Sequence, residues 1–325
     1  MNPIRIVMMG TGTFAEPTLE HLLQGPDPVV GVFTQPDRET GVKRGSTRQV
    51  GRGMKEIAAE KNVPVFQPES INSPEGVALL KDLNPDLLVV AAYGQILSKE
   101  VLGLPSIGAI NVHASLLPKY RGAAPIAWAI YHGEAETGVT IIRMSVGLDA
   151  GNMLAQKSVL IQPMETAGEL EARLAPIGAQ MALDVIAQMK QGPVVGTPQD
   201  KALVTKAPKL KKEDGLIDWN RPAEAVARQI QAMQPWPTAY TFLHREGKEP
   251  MRVMIARCVL TEGHGEPSTL FSPDGKKLVV HCSPGALEIL ELQPAGKKKM
   301  NPSDFLRGHP IQKTDRFGCQ DLFAA

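Results

Sequence analysis

The sequence is short of several things, and each shortage narrows what the chain can be. Its longest apolar run, residues 87–92, falls far below the about 20 residues that a membrane-spanning helix needs, so no membrane partner is expected. The opening Met1-Asn2-Pro3-Ile4-Arg5 leads straight into a short apolar run and glycines. It has neither the long apolar core nor the small-residue cleavage site of a secretory signal. Cysteine is scarce and odd in number: Cys258, Cys282 and Cys319, with no Cys-x-x-Cys pair. A disulfide scaffold is excluded, and a reduced, cytoplasmic compartment is expected. His281 and Cys282 are adjacent and point to opposite faces of a strand, while Cys258, His264 and Cys319 lack ligand spacing, so no metal site is expected. Internal repeats and low-complexity stretches are absent too.

What is present is an ordinary globular composition, 43% hydrophobic and 21% charged over 325 residues, enough to bury a core. At about 150 residues per domain, the length suggests two domains. The net charge of +1 hides an uneven distribution. Residues 1–200 hold 16 Lys and Arg against 20 Asp and Glu, and residues 201–325 hold 19 against 14. Within the acidic part, residues 38–55 carry Arg38, Lys43, Arg44, Arg48, Arg52 and Lys55 against Glu39 alone. An acidic domain with one basic loop, followed by a basic domain, suits a polyanionic partner. Solvated surface charge is the plainer explanation, and charge alone does not choose between them.

The first 200 residues alternate between strand and helix patterns. Strands are expected near 4–9, 29–34, 63–66, 87–91 and 109–112, and helices near 14–23, 54–61 and 73–83. Thr166 and Glu169 form a capping box that opens a helix running to about Lys190. The alternation predicts a doubly wound, mostly parallel α/β sheet. A stretch poor in pattern and rich in glycine and proline follows from 192 and extends through Ala207-Pro208-Lys209. After a helical segment at 223–233, short β-rich runs at 240–243, 251–259, 277–282 and 287–292 are separated by turn residues, the pattern of a small antiparallel barrel. The domain boundaries expected are 1–195, a linker at 196–209, and a barrel at 210–318.

Four motifs could carry chemistry. Gly10-Thr11-Gly12-Thr13-Phe14-Ala15, with Asp37 downstream, fits a dinucleotide-binding turn,. Phe14 is bulky where a pyrophosphate needs close approach, and Asp37 follows Pro36 in a turn. From these residues alone, a nicotinamide site and a plain structural turn stay open. Asn111-Val112-His113 places an amide and an imidazole on one face of a strand end. The amide can donate to a developing oxyanion and the imidazole can accept a proton; a buried histidine satisfied by its neighbour is the bland reading. Asp149, in the turn Gly147-Leu148-Asp149-Ala150-Gly151-Asn152, could orient that imidazole, or be a turn aspartate only. Ser115-Leu116-Leu117-Pro118 begins a loop directly after His113 and suits an apolar ligand pocket, or a simple strand-to-helix connection.

Taken together, Asn111-x-His113, Ser115-Leu116-Leu117-Pro118, Tyr120-Arg121-Gly122-Ala123-Ala124-Pro125 and Asp149-Ala150-Gly151 resemble the 10-formyltetrahydrofolate-dependent formyltransferases. Thr34-Gln35-Pro36-Asp37-Arg38, Ala207-Pro208-Lys209-Leu210, Ile217-Asp218-Trp219, Pro235-Trp236-Pro237 and Leu292-Gln293-Pro294-Ala295-Gly296-Lys297-Lys298-Lys299-Met300 resemble the branch of that family that formylates methionyl-tRNA. The resemblance implies a Rossmann-like catalytic domain and an oligonucleotide-binding (OB)-like barrel. It implies Asn111, His113 and Asp149 as catalytic residues, and Ser115, Leu116, Leu117 and Pro118 as the folate-binding segment. It implies 10-formyltetrahydrofolate as co-substrate without NAD or metal, and initiator methionyl-tRNA as partner of a monomer. Arg38, Lys43, Arg44, Arg52, Lys209, Lys297 and Lys298 become the candidates for tRNA contact, with Arg44 first in the basic loop and Arg52 the alternative. Two departures stand out: Asn152 replaces a second aspartate of the family turn, and the basic loop reads Gly41-Val42-Lys43-Arg44-Gly45 in place of Gly-Arg-Gly-Lys. An amino-sugar formyltransferase or a formyl-folate hydrolase is the alternative enzyme, and a non-catalytic RNA-binding module the alternative outside enzymes.

Overall fold

The computed structural model describes residues 3–37 and 51–320, which form two compact units. The first takes in the residues up to Ile126, Ala135–Ile161 and Gly168–Lys209; the second takes in Ala127–Glu134, Gln162–Ala167 and the residues from Leu210 on. The chain runs β1 (Ile6–Gly10), α1 (Glu16–Gln24), β2 (Val29–Phe33), α2 (Met54–Ala59), β3 (Val65–Phe66), α3 (Pro74–Asp82), β4 (Leu87–Ala91), α4 (Lys99–Leu102) and β5 (Gly108–His113). It continues through β6 (Arg121–Gly122), α5 (Pro125–His132), β7 (Glu136–Arg143), β8 (Met153–Leu160), α6 (Ala167–Gln191) and β9 (Lys206–Ala207).

The first unit is built on a seven-stranded sheet in the order β3-β2-β1-β4-β5-β7-β8. Strands β1 to β5 run parallel, and β7 and β8 add an antiparallel edge. The central strands β1 and β4 are apolar and buried throughout, because a sheet covered on both faces has no solvent side to alternate toward. One face packs Val7, Met9, Leu88 and Val90 with Leu80 of α3 and Val101 of α4. On the other, Gly178 of α6 sits so close to Val112 and Val139 that a Cβ there would lie 2.6 Å from Val112 Cγ1. The strand order reverses between β1 and β4, and the carboxyl ends at such a reversal are where open α/β sheets leave a crevice. The neighbouring β5 delivers Asn111 and His113 to that same end.

Two elements of this unit differ from expectation. Strand β8 carries Gln156, Lys157 and Ser158 in succession, all exposed; an edge strand with one free side shows no alternation to read. The stretch 196–209, expected as a linker, is hydrogen-bonded into the first unit. Thr197 exchanges two 2.8 Å backbone bonds with Met153, and β9 pairs in parallel with β6.

The second unit adds α7 (Ala223–Ala232), β10 (Ala239–Arg245), β11 (Lys248–Thr261), β12 (Leu270–Phe271), β13 (Leu278–His281), β14 (Ala286–Pro294), α8 (Pro302–Gly308) and β15 (Arg316–Gly318). Its strands form an antiparallel sheet in the order β12-β13-β14-β11-β10-β15. Thr269 bridges Arg316, and Phe317 N–H donates to Ser268 O at 2.9 Å, so the two edges of the sheet meet as a barrel's must. Helix α8 is only seven residues long, too short for a periodic signal, yet it is properly begun: Asn301 Oδ1 accepts from Asp304 N at 2.9 Å,.

Trp219 anchors this unit. It is 1% exposed, donates from Nε1 to Thr241 Oγ1 at 3.0 Å and stacks on Phe317 with ring centroids 5.7 Å apart. Trp219→Ala should lower the stability of this unit by about 3–5 kcal/mol, read as a lower denaturant midpoint of its unfolding transition. A midpoint within error of the wild type would show that Trp219 is not a core residue.

Candidate active site

Strand β5 ends in Asn111 and His113, both under a tenth exposed, and their side chains share a face because strand side chains repeat every two residues. Asp149 reaches them from the turn between β7 and β8. Its backbone is left-handed, φ 48°, a conformation that Asp adopts more readily than most residues. Its carboxylate sits between the two strand residues: Asn111 Nδ2 donates to Oδ1 at 3.3 Å, and Oδ2 lies 3.6 Å from His113 Nδ1. Oδ2 also accepts from the Gly122 backbone N–H at 2.9 Å.

The other ring nitrogen settles the tautomer. His113 Nε2 lies 2.9 Å from the carbonyl oxygen of Tyr120. A carbonyl can only accept, so Nε2 carries the hydrogen, and in the neutral ring the lone pair is on Nδ1. A proton arriving at Nδ1 faces the Asp149 carboxylate, which stabilises the imidazolium. The site therefore offers an amide donor, a proton acceptor and a charge to support it, the set required for acyl transfer through an oxyanion.

The loop after β5 is held tightly. Ser115 Oγ donates to Lys119 O at 2.7 Å, and Thr140 Oγ1 donates to Ser115 O at 2.6 Å while accepting from Leu117 N at 3.1 Å. Gln156 Nε2 adds a bond to Leu117 O at 2.9 Å. Ser115 and Leu117 are buried, whereas Leu116 and Pro118 are half-buried. Gly122 sits where a Cβ would lie 2.4 Å from Ala207 O; with φ 129° it is a position for glycine alone.

The glycine turn after β1 is explained by packing. A Cβ on Gly10 would lie 2.6 Å from the Ala15 Cβ and 2.9 Å from Ala91 O. Thr13 hydrogen-bonds the Glu171 carboxylate, and Glu16 opens α1. Two carboxylates at the turn oppose a pyrophosphate, which helix N-termini bind through positive partial charge. Asp37, the candidate for a ribose contact, is engaged by Lys55 Nζ at 2.6 Å and Gln67 Nε2 at 3.2 Å. Burial pushes the Cys258 and Cys282 thiols up to about 12, which keeps both protonated at neutral pH and poor as ligands or nucleophiles.

Comparison with known proteins accounts for both units. The description "Formyl transferase" matches residues 4–186, and "Formyl transferase, C-terminal domain" matches residues 209–310. The chain belongs to the formyl transferase family. It is similar to the methionyl-tRNA formyltransferase of Citrifermentans bemidjiense, with 44% identity over 321 residues covering 99% of this chain and 98% of the relative. It is likewise 46% identical over 314 residues to that of Acidithiobacillus ferrooxidans, covering 97% and 98%. Among solved structures, the N-formyltransferase of Helicobacter canadensis, in complex with folinic acid and dTDP-3-aminofucose, matches with a TM-score of 0.65 at 16% identity, over 91% of this chain and 100% of that one. HypX of Aquifex aeolicus with tetrahydrofolic acid matches with a TM-score of 0.60 at 17% identity, over 97% and 51%. At such identities the likeness is one of fold.

In this formyl transferase the described basic candidates fall in both units. Lys209, Lys297 and Lys298 are exposed; Lys297 closes a turn by donating from its backbone N–H to Pro294 O at 3.0 Å, and Lys298 follows it. Arg52 is engaged by carboxylates: it pairs with Glu20 at 2.9 Å and with Glu60. The backbone beside it is tied down too, Glu16 accepting from Gly53 N at 2.9 Å. Arg38, Lys43 and Arg44 lie outside the described residues. Sequence patterns do not reveal Gln199 or the role of Arg121, which meet at the Asp149 turn. An amide in a patternless polar stretch gives no signal.

Proposed function

We propose that this formyl transferase moves the formyl group of 10-formyltetrahydrofolate onto the α-amino group of initiator methionyl-tRNA, in the cytoplasm and as a single chain. The observation that carries the proposal is the meeting of Asn111, His113 and Asp149 at the carboxyl end of β5. It is supported by identity of 44% to methionyl-tRNA formyltransferases over nearly the whole chain. The amine nitrogen attacks the formyl carbon. Asn111 donates from Nδ2 to the formyl oxygen as it becomes an oxyanion. His113 accepts the amine proton at Nδ1, facing Asp149, and that proton leaves with N10 of tetrahydrofolate as the carbon–N10 bond breaks. Model α-amino groups titrate near pH ~8, so a neutral amine is available without further activation. Leu116 and Pro118 provide apolar contact for the folate.

The exposed lysines of the barrel and the basic loop supply affinity for the tRNA backbone, and salt should expose them. Arg44→Ala should flatten the dependence of tRNA affinity on salt, because fewer counterions are released. Arg52→Ala should leave the slope unchanged, since Glu20 and Glu60 hold its guanidinium. A flattened slope in Arg52→Ala alone would transfer the phosphate contact to Arg52.

The function itself is tested by presenting formyl-labelled 10-formyltetrahydrofolate with initiator methionyl-tRNA, elongator methionyl-tRNA and a nucleotide-linked amino sugar as acceptors. Label on initiator methionyl-tRNA at a rate well above the others is expected. Preference for the amino sugar would overturn the proposal in favour of the alternative enzyme.

A further inference from the structure

Asp149 is gripped from two sides, and only one grip involves the catalytic strand. Gln199 lies in the stretch between α6 and β9, half-buried, and its side-chain amide is used completely. Nε2 donates to Asp149 O and to Gly151 O, each at 2.7 Å. Oε1 accepts from Arg121 Nε at 3.0 Å and from Arg121 Nη2 at 2.7 Å. An amide has two N–H donors and two acceptor lone pairs, so all four are engaged and its orientation is fixed. Arg121 belongs to β6, whose neighbours act directly on the catalytic pair: Tyr120 O holds His113 Nε2, and Gly122 N holds Asp149 Oδ2. β6 is itself pinned by β9, and Arg121 N donates to Thr205 O at 2.9 Å.

We propose that Gln199, clamped by Arg121, is a positioning residue that sets the Asp149 turn against His113. The inference rests on the function proposed above. Asp149 holds a left-handed backbone in an otherwise exposed turn: Ser145, Val146, Gly147 and Leu148 on one side and Asn152 on the other are exposed. Gln199 grips the carbonyls on both sides of Ala150, and so fixes the peptide planes that aim the carboxylate. Without it, the turn keeps the Gly122 contact and the Arg143 N–H to Asn152 O bond at its base, but the carbonyls of Asp149 and Gly151 lose the donor that orients them. A misplacement of about 1 Å in such a group is enough to cost on the order of 10²-fold in rate.

The test compares Gln199→Ala with the wild type, and with Asp149→Asn alone and combined. The expected result is a kcat about 10–100-fold lower, with KM for the folate and for the tRNA nearly unchanged. Combined with Asp149→Asn, Gln199→Ala should add no further loss, because residues acting as one unit are not additive. An unchanged kcat, a loss confined to KM, or losses that multiply in the double variant would overturn the proposal. Should Gln199→Ala fold poorly, Gln199→Glu keeps the shape and the acceptor for Arg121 while removing the donors, and the same outcomes apply. A second readout is independent of activity: backbone hydrogen exchange in residues 147–152 should speed up in either variant, and unchanged exchange overturns the brace. Wild-type enzyme that fails to formylate methionyl-tRNA would defeat the functional proposal, while the exchange measurement would still decide the role of Gln199.

Discussion

Asn111→Ala should lower kcat by about 10²–10³-fold, the usual loss of one oxyanion donor, and leave KM for both substrates nearly unchanged. The split follows from when the contact matters. The formyl oxygen gains charge as the amine adds, so a donor aimed at it is worth most near the transition state. In the free protein Nδ2 rests on Asp149 Oδ1 at 3.3 Å, a long bond that a charged oxygen can displace. Steady-state kinetics with each substrate varied in turn will check the split. A raised KM with unchanged kcat would make Asn111 a binding residue.

Asp149→Asn should cost very roughly 10²–10⁴-fold in kcat if proton transfer is fully disrupted. Asparagine keeps the size of the side chain and tolerates the left-handed backbone that Asp149 adopts at φ 48°,. What the substitution removes is charge, and the charge faces His113 Nδ1 at 3.6 Å. A proton accepted there would no longer meet a carboxylate. Asp149→Ala should be about as slow, with a less stable turn in addition. Near-wild-type turnover in Asp149→Asn would reduce Asp149 to a residue that shapes the turn.

Much of this site is legible in the amino-acid sequence. Asn111 and His113 announce themselves because a strand puts i and i+2 on one face, and an apolar run ending in polar residues marks a strand end. Asp149 is conspicuous in a glycine-flanked turn. The glycine turn after β1 is ambiguous in sequence, which shows that Gly10 is small without showing that Ala15 and Ala91 crowd it. The same limit hides the Arg52 pairs. Glu20 precedes Arg52 by 32 residues and Glu60 follows it by 8, and only the packing of α1 beside α2 brings them together. Gln199 is invisible for a related reason: its partners Arg121 and Asp149 lie 78 and 50 residues away, and a single amide in a polar segment has no period. The overall architecture is legible because hydrophobic periodicity sets it. The edge strand β8 and the helix α8 are not, one being half in solvent and the other too short.

Formylation of methionyl-tRNA through His113 is the proposed step on which the other roles depend. The most direct test is a single-turnover reaction of formyl-labelled 10-formyltetrahydrofolate with charged initiator tRNA, run with the wild type and with His113→Asn. Rapid appearance of label on the methionyl-tRNA is expected with the wild type, and a loss of about 10²–10⁴-fold in that rate with His113→Asn. Wild-type protein that transfers no label, or a His113→Asn protein that transfers it at the wild-type rate, would contradict this step.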